Sequence, residues 1–398
     1  MLKHLINRNL LLLFGCQVVF VSGTVTLVTI GGIAGHEIAP NPGLATLPVA
    51  LMVVGTALAT IPAAMSMQAL GRKGGFLVGV GLAVSGALLA QWAIGQQAFV
   101  WFCIATALIG SSLAFSQHFR FAAAESVPEA AVSFAVSFLL IGSIIGAIAA
   151  PEIIAYSAQA NAQQPYAEVF SVMLLLYAVA AVLVLGQRHQ LQIEEAAQST
   201  PRPLGVVVKQ PMFVAAVCAG MVGQGVMTYV MTATPISMNV VDAFSLVQTS
   251  EVIRAHVIAM YLPSLVTPFL IARFGLPIMM GLGTCLFIVT MLIGLAGHHL
   301  FHYWWSMVLL GVGWNFLFVS GTTLLTQSYR PSERFRSQAV NDFGVFGASA
   351  LASLLAGTVL HAWGWEALLY SAFPALAAMF VVLYWWRATR LNASTAAG

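Results

Sequence analysis

The sequence predicts an all-α polytopic membrane protein with twelve transmembrane helices arranged in two six-helix halves. Three observations predict this class: 60% of the 398 residues are hydrophobic, only 7% are charged, and long apolar runs recur along the whole chain. Soluble domains carry about 25% charged residues because their surface must face water. Together with the mean hydropathy of +0.92, this composition indicates that most of the surface faces lipid.

Each predicted span is an apolar run of about 20 residues, the length that crosses the hydrocarbon core of a bilayer. The runs cover residues 10–33, 44–68, 75–95, 98–117, 131–156, 167–186, 211–234, 251–272, 276–297, 303–326, 338–361 and 364–386. Their length, and the lack of alternating ten-residue segments, favours helices over strands.

The lysine and arginine residues predict how these spans are oriented. Loops on the cytoplasmic side are enriched in basic residues. Fourteen of the 15 basic residues fall on one side of the alternating loops, and only Arg254 falls on the other. The fourteen are Lys3, Arg8, Arg72, Lys73, Arg120, Arg188, Arg202, Lys209, Arg273, Arg330, Arg334, Arg336, Arg387 and Arg390. Both termini are therefore expected in the cytoplasm, and the number of spans is expected to be even.

The longest polar connection lies between the sixth and seventh spans and predicts the domain organisation. We expect an N-terminal six-helix bundle over 1–187, a cytoplasmic linker over 188–210 and a C-terminal six-helix bundle over 211–398. The two halves echo each other weakly. Leu70–Lys73 follows the second span, and Arg273–Gly275 follows the eighth.

A 6+6 arrangement with such echoes resembles the major facilitator superfamily, whose members bind substrate near the midplane between their halves. The Gly71–Lys73 stretch is similar to the end of that superfamily's signature between the second and third spans, although Gln68 stands where an aspartate is usual. The resemblance implies a secondary transporter and not an enzyme. The sequence contains no phosphate-cradling GxxxxGK[ST] loop, and its scattered basic residues indicate no nucleic-acid partner.

Two pairs of side chains in the seventh and eighth predicted spans are candidate ligands. Met227 and Met231 form one pair, and His256 and Met260 form the other; each pair is spaced i, i+4, which places both members on one helical face. The seventh span runs outward and the eighth inward. At 1.5 Å per residue, one member of each pair is therefore expected at about 7 Å depth and the other at about 14 Å. If the two spans are antiparallel neighbours, their side chains would form two pairs at matching depth, which we call rungs: Met231 with His256, and Met227 with Met260.

The chemistry of these side chains points to copper. Thioether ligands are soft and uncharged and select Cu(I), whereas zinc is normally held by Cys, His or carboxylate groups. An ionisable histidine inside a span also favours a functional role. The alternative is that the three methionines of these motifs, among the 16 of the chain, are ordinary packing residues. In that case His256 is a polar group near a helix end.

The MetxxxMet motif followed by HisxxxMet resembles the CcoA-like family of copper importers in the major facilitator superfamily. The stretch from Glu333 to Phe343 is also similar to that family's loop between the tenth and eleventh spans. The resemblance implies a secondary-active importer in the bacterial inner membrane that supplies copper for assembly of cbb3-type cytochrome c oxidase. It implies Met227, Met231, His256 and Met260 as ligands.

Copper would then be the transported substrate, with no further cofactor. The implied partners are the copper ion, the lipid bilayer and a cytoplasmic copper acceptor. A riboflavin importer branch is related to the same family. The alternative is therefore an importer of an organic nutrient such as riboflavin, with Trp314, Asn315 and Phe316 lining its pocket, or a drug or metabolite exporter of the same fold.

Five polar residues are weaker candidates for gating or coupling. Arg120 and Glu125 lie at the inner end of the first half, and Asn341 and Asp342 occupy the equivalent position in the second half. They form either an inner gate or an interfacial charge network. Glu152, late in the fifth span, is either a protonatable coupling site or a residue of the outer headgroup zone.

The cysteines and the outer histidines complete the candidates. Cys16, Cys103, Cys218 and Cys285 lie in apolar stretches, which argues against disulfides or a structural zinc site. Cys218 either receives Cu(I) deeper in the path or packs in the bilayer. His298, His299 and His302 either collect metal at the entrance or lie in a solvated loop.

Overall fold

A computed structural model describes residues 7–40, 44, 47–160, 165–187 and 200–395, and these residues are helical or in turns and loops, with no strand among them. The α-helices are α1 (Arg8–Ile38), α2 (Leu47–Gly95), α3 (Phe99–Ser116), α4 (Phe119–Glu125), α5 (Val132–Ala160), α6 (Pro165–Leu185), α7 (Leu204–Val207), α8 (Pro211–Ile236), α9 (Leu246–Tyr261), α10 (Thr267–Phe274), α11 (Leu276–Ala296), α12 (Leu300–Thr326) and α13 (Arg334–Thr395). Residues 188–199 of the predicted linker, with Arg188, and both chain ends lie outside the described part.

The number of spans agrees with the twelve predicted apolar runs. Ten stretches of described helix are long and apolar enough to cross a membrane, with α13 counted as two of them. The bent pair α9 and α10, which turns by 54° at a short break, supplies an eleventh. Helix α2 is interrupted at Gly71, where φ is 71°, a left-handed conformation that glycine adopts without a steric penalty. That break divides α2 into the second and third spans, so the all-α fold class is confirmed.

The chain divides into two compact units, residues 1–193 and residues 194–398. In the first unit, close approaches between helices occur at small residues. A Cβ on Gly110 of α3 would lie 2.0 Å from the carbonyl oxygen of Met52 in α2. A Cβ on Gly146 of α5 would lie 2.7 Å from the carbonyl oxygen of Val18 in α1, and Gln91 of α2 donates a hydrogen bond to Ser171 of α6. The first unit therefore pairs its spans as one with five, two with four and three with six.

The second unit repeats these pairings with its own residues. Gly311 of α12 packs against the backbone of α9, which pairs the tenth span with the eighth. Gly220 of α8 packs against Val345 in the first segment of α13, which pairs the seventh span with the eleventh. Gly294 of α11 packs against Leu369 in the second segment of α13, which pairs the ninth span with the twelfth. The weak sequence echoes of the halves thus have a counterpart in how each half packs internally.

The polar segment before α8 is fastened to the second unit by one ion pair. Arg202 places Nε 2.7 Å from Oε1 of Glu333 and Nη2 2.7 Å from Oε2, which is a two-bond contact between a guanidinium and a carboxylate. The backbone N–H of Arg202 also donates to Oε1, at 2.8 Å. Glu333 is buried. Because planar two-bond contacts of this kind fix direction as well as distance, they hold the chain that enters α8 against the turn before α13.

Candidate functional site

Helix α12 organises the region that carries the predicted ligands. It packs extensively along both α8 and α9, whereas α8 and α9 touch each other over only a few residues. The expectation that the seventh and eighth spans are direct neighbours therefore differs from the structure, because the tenth span lies along both of them. Spacing within each helix fixes which residues share a face, but it does not reveal which third helix covers that face.

His256 is completely buried and is oriented by α12. Its Nδ1 lies 2.7 Å from the carbonyl oxygen of Met307. A carbonyl only accepts hydrogen bonds, so Nδ1 carries the proton in this contact. In the neutral ring Nε2 then carries the free lone pair, and Nε2 is buried with no hydrogen-bond partner. A neutral imidazole whose second nitrogen is fixed by a carbonyl is the form that metal-binding histidines take.

The contacts of α12 set the relative heights of the two ligand pairs. Met307 accepts a hydrogen bond on its sulfur from Thr234 of α8, at 3.3 Å, and one on its carbonyl from His256 of α9. Thr234 lies less than one turn from Met231, so Met231 and His256 occupy similar heights along α12. The contacts thus place Thr234 and His256 at one level of α12, and the rung of Met231 with His256 stays a prediction.

Of the deeper pair, Met260 is located by a contact with α12. Gly311 of α12, one turn deeper than Met307, contacts the backbone nitrogen of Met260. Met227 and Met260 are both buried, and Met231 is half-buried. The role of Met227, Met231, His256 and Met260 as copper ligands stays a prediction. Among the described residues, no group of three or more His, Cys, Asp or Glu side chains is arranged to hold a metal ion.

A cluster of three aromatic rings and one amide lies one turn deeper than Gly311. We call Gln224, Tyr261, Trp314 and Phe318 the aromatic cluster. The Trp314 indole stacks on Phe318, with ring centroids 4.6 Å apart and planes 19° apart, and meets Tyr261 edge to face at 5.8 Å. Its Nε1 donates a 2.8 Å hydrogen bond to Oε1 of Gln224. The indole is thereby held in one orientation by partners from α8, α9 and its own helix.

The aromatic cluster lies near the middle of the spans that carry it. Gln224 is residue 14 of the 26 in α8, and Trp314 is residue 15 of the 27 in α12. A hydrogen-bonding amide at that depth is costly unless it is paired or used. The Gln224 Nε2 group has only a long 3.5 Å contact, to Thr228, so it keeps donor capacity for a further partner. The sequence analysis did not single out Gln224 as a candidate site residue. The signal that could have found it is a single amide side chain in an otherwise apolar span.

Of the three residues proposed to line an organic pocket, only Trp314 belongs to the aromatic cluster. Asn315 is buried and donates to the Met260 carbonyl and to Ser264, both at 2.7 Å. It also accepts from Thr267, so its amide joins α12 to the eighth span. The Phe316 Cβ lies 3.2 Å from the position that a Cβ on Gly283 of α11 would take. Successive helical residues point about 100° apart, which explains why these neighbours face three directions.

The candidate gating residues of the first unit belong to a buried charge cluster. Glu125 accepts hydrogen bonds from the guanidinium of Arg72, with Nε to Oε2 at 3.1 Å. Arg72 also reaches the ring of His118, at 3.2 Å. Arg120 is buried, and its guanidinium lies 4.7 Å from the centre of the Phe121 ring. Arg120 and Glu125 therefore both lie at the end of the fourth span, and their position on the inner side and their gating role stay predictions.

The second unit has a matching arrangement before the eleventh span. Arg334 lies 4.7 Å from the centre of the Phe335 ring, the same distance as for Arg120 and Phe121. Asn341 donates a 2.8 Å hydrogen bond to Asp342, and both side chains are buried. An arginine over the following phenylalanine thus occurs in each unit by itself, and the gating role of Asn341 and Asp342 stays a prediction.

The remaining single candidates have simple environments. Glu152 is exposed on α5 after Pro151, and its coupling role stays a prediction. Cys218 is a free, half-buried thiol on α8. The other three cysteines are also free thiols in the described part of the chain.

The outer histidines do not converge on one point. His298 turns toward two carboxylates, with Nδ1 2.9 Å from Asp242 and Nε2 2.8 Å from Glu366. His299 is exposed, and its ring lies 5.8 Å from that of His302. Neither Asp242 nor Glu366 was singled out from the sequence. They lie 56 and 68 residues from His298 along the chain. In the sequence, only their position at predicted outer loops could have suggested that they contact His298.

Comparison with known proteins gives a consistent family. The family model described as Major Facilitator Superfamily matches residues 12–254 and 241–397. The riboflavin transporter RfnT of Brucella anthropi is 33% identical over 379 residues, which cover 95% of this chain and 95% of that protein. An uncharacterized MFS-type transporter of Bacillus subtilis, YddS, is 26% identical and covers 96% of this chain and 92% of its own length.

Solved structures support the same fold. The transporter FucP, in its outward conformation, superposes with a TM-score of 0.73 at 16% identity, covering 96% of this chain and 99% of that one. A bacterial homologue of the iron transporter ferroportin superposes with a TM-score of 0.72 at 15% identity, covering 96% of this chain and all of that one. At such identities the likeness concerns the fold alone.

Proposed function

We propose that this chain, which belongs to the major facilitator superfamily, imports riboflavin or a similar flat organic nutrient as a secondary transporter. One observation carries the proposal: the 33% identity with a riboflavin transporter extends over 95% of both chains. The similar region therefore includes the helices that carry the aromatic cluster.

The aromatic cluster has the chemistry that a flavin ring requires. A flavin is a flat aromatic system with a polar edge that carries hydrogen-bond donors and acceptors. Trp314 and Tyr261 supply aromatic surface, and aromatic pairs are stabilised by offset stacking and edge-to-face contact. Gln224 supplies an amide beside that surface. A small number of placed polar groups within an apolar lining is the usual composition of a ligand site.

Uptake of radiolabelled riboflavin by a bacterial riboflavin auxotroph expressing the chain tests this function. The wild-type chain is expected to restore uptake at low external riboflavin. Gln224→Ala removes the amide and is expected to raise the KM about tenfold, the effect of losing one good hydrogen bond to the substrate. Met221→Ala, an exposed position on the same helix, is the matched control and should leave uptake unchanged. Absence of uptake by well-expressed wild-type protein contradicts the proposal.

A second candidate, copper import, is favoured by the free Nε2 of His256. This nitrogen is buried, carries the lone pair of the neutral ring and has no protein partner. An unpaired buried polar atom costs free energy, and a soft cation held with Met260 and the methionines of α8 would relieve that cost. The proposed cytoplasmic acceptor and the link to cbb3-type oxidase depend on this candidate.

Cellular copper and cbb3 oxidase activity in a deletion strain distinguish the two candidates. The copper candidate expects complementation by the wild-type chain and its loss in Met227→Ala and His256→Ala, while Met221→Ala complements fully. Wild-type copper content in the two ligand variants rejects the copper candidate. Riboflavin uptake that a Cu(I) chelator does not change, measured in the same strains, supports the flavin candidate independently.

A further inference from the structure

Three outer-end elements of the second unit meet at the His298 ring. Asp242 follows the π-turn that ends α8, His298 lies in the loop between α11 and α12, and Glu366 begins the second segment of α13. Tyr303 of α12 adds a 2.7 Å hydrogen bond to the same oxygen of Asp242 that His298 contacts. Ser237 is joined to the Tyr303 hydroxyl at 2.6 Å. Hydrogen bonds between side chains thus connect the outer ends of the seventh, tenth and twelfth spans.

The hydrogen-bond chemistry at His298 depends on a proton. Each ring nitrogen faces a carboxylate, and ionised carboxylates only accept hydrogen bonds. A neutral imidazole has a single N–H, so it can satisfy one of these two contacts but not both. The imidazolium form donates from both nitrogens and places its charge between Asp242 and Glu366. The side chain of His298 is 38% exposed, so protons from the aqueous phase reach it.

The backbone on both sides is shaped to present the two acids. Ala243, directly after Asp242, has a φ of 57°, a left-handed conformation that costs a residue with a side chain roughly 1–2 kcal/mol. Gly364, two residues before Glu366, has a φ of 83° at the break in α13. Glycine adopts such a φ without steric cost, so only Ala243 is strained. A strained residue persists where the surrounding contacts require it, and Ala243 directly follows the hydrogen-bonded Asp242.

We propose that His298, held between Asp242 and Glu366, is a proton-binding site that fastens the outer ends of these helices when occupied and frees them when the proton leaves. The proton passes from the Nδ1 or Nε2 of the imidazolium to external water, and no other group is consumed. The facing titratable groups are Asp242 after α8, Tyr303 of α12 and Glu366 of α13. His299 and His302 belong to the same loop and to α12, and the ring of His302 packs with that of His299.

The direction of the pH effect follows from the charges around the ring. Partial burial alone lowers the pKa of His298, but hydrogen bonds and charge attraction from Asp242 and Glu366 outweigh it and raise the pKa above its ordinary value of 6.5. The stabilising contribution is therefore fully present below about pH 6.5 and is lost as the pH rises through the raised pKa. An acidic exterior keeps the site occupied.

Thermal unfolding of the purified full-length protein without substrate tests the proton site. At about pH 6 the wild type is expected to unfold about 2–4 °C above His298→Gln, and the difference should vanish by about pH 9. His299→Gln, a change of the exposed neighbouring histidine, is the control and should follow the wild-type curve. Because no substrate is present, the result does not depend on whether riboflavin or copper is the cargo.

Two further outcomes separate proton binding from a merely structural role. Glu366→Gln keeps the shape of the side chain but removes one charge, and should move the midpoint of the pH dependence to lower pH. Spin labels at Val241→Cys and Trp363→Cys, two exposed outer positions, in a background without the native cysteines, should report a longer distance at high pH. A pH profile identical in wild type, His298→Gln and Glu366→Gln, or a label distance independent of pH, overturns the proposal.

Discussion

Two histidines of the second unit show how partners decide what one side chain does. His256 is buried with Nδ1 against a carbonyl, which in the neutral ring places the proton on Nδ1 and leaves Nε2 free. His298 lies between two carboxylates, which favour the charged form. The sequence marked both as candidates for metal, but the partners give them different chemistry. A carbonyl on one nitrogen leaves the other nitrogen of His256 able to bind a metal ion. Two carboxylates, one at each nitrogen, instead favour the protonated ring of His298.

At the same scale, the Arg202–Glu333 pair predicts a measurable loss of stability. Glu333 is buried and receives both arms of the guanidinium. Arg202→Gln leaves that carboxylate without its charge partner, which we expect to cost about 3 kcal/mol. Unfolding of the purified protein by heat or denaturant in detergent measures the change.

Arg336→Gln is the matched control for this pair. Arg336 is exposed three residues from Glu333, so its loss should change stability by less than about 0.5 kcal/mol. If the Arg202→Gln variant is as stable as the wild type, the Arg202–Glu333 ion pair does not stabilise the attachment of the linker.

At the scale of the elements, α12 determines the site. It holds His256 through Met307, Met260 through Gly311 and Asn315, and Gln224 through Trp314. The seventh and eighth spans are positioned by the tenth. The sequence predicted the heights of the candidate residues, because heights follow from residue counts along helices. It did not predict the role of α12, since helical periodicity carries no information on which helix packs against which.

Gly311 gives the sharpest prediction for this element. A Cβ at this position would lie 2.7 Å from the His256 carbonyl oxygen and 2.8 Å from the Met260 nitrogen, both backbone atoms that cannot rotate away. Gly311→Ala is therefore expected to push α9 from α12, to destabilise the protein by about 1–3 kcal/mol and to raise the KM for the cargo. Thermal unfolding and transport assays on the same preparation measure both effects.

Gly281→Ala tests the same substitution where space is open. A Cβ on Gly281 of α11 would meet nothing within 4 Å, so this variant should keep wild-type stability and transport. If Gly311→Ala also behaves as wild type, the close packing of α9 on α12 is not what positions the site.

At the scale of the whole molecule, composition and the recurring apolar runs predicted most of the architecture. Apolar runs gave the spans because a bilayer imposes a minimum length. The repeated pairings within each unit, such as the glycine contacts of Gly110 and Gly311, could not be predicted in detail, because they depend on which small residues meet. The contacts of Asp242 and Glu366 with His298 were missed for a related reason: they join loops far apart in the chain.

Orientation in the membrane is a prediction of the basic-residue pattern that fusions can test. Alkaline phosphatase, active only outside the cytoplasm, is expected to be active when fused after Gln97, in the loop between the third and fourth spans. The same enzyme fused after Gln187, beyond the sixth span, should be inactive, while a green fluorescent protein at that position should fluoresce. The reverse pattern would contradict the positive-inside assignment.

Binding of riboflavin by the purified protein tests the central claim most directly. Flavin fluorescence is expected to be quenched in a saturable manner by the wild type, because a flavin ring at the proposed site would stack on the aromatic cluster. Gln224→Ala should weaken the binding about tenfold, and Met221→Ala should not. Saturable riboflavin binding with this pattern is the predicted result; absence of riboflavin binding together with tight Cu(I) binding that needs His256 would contradict the account.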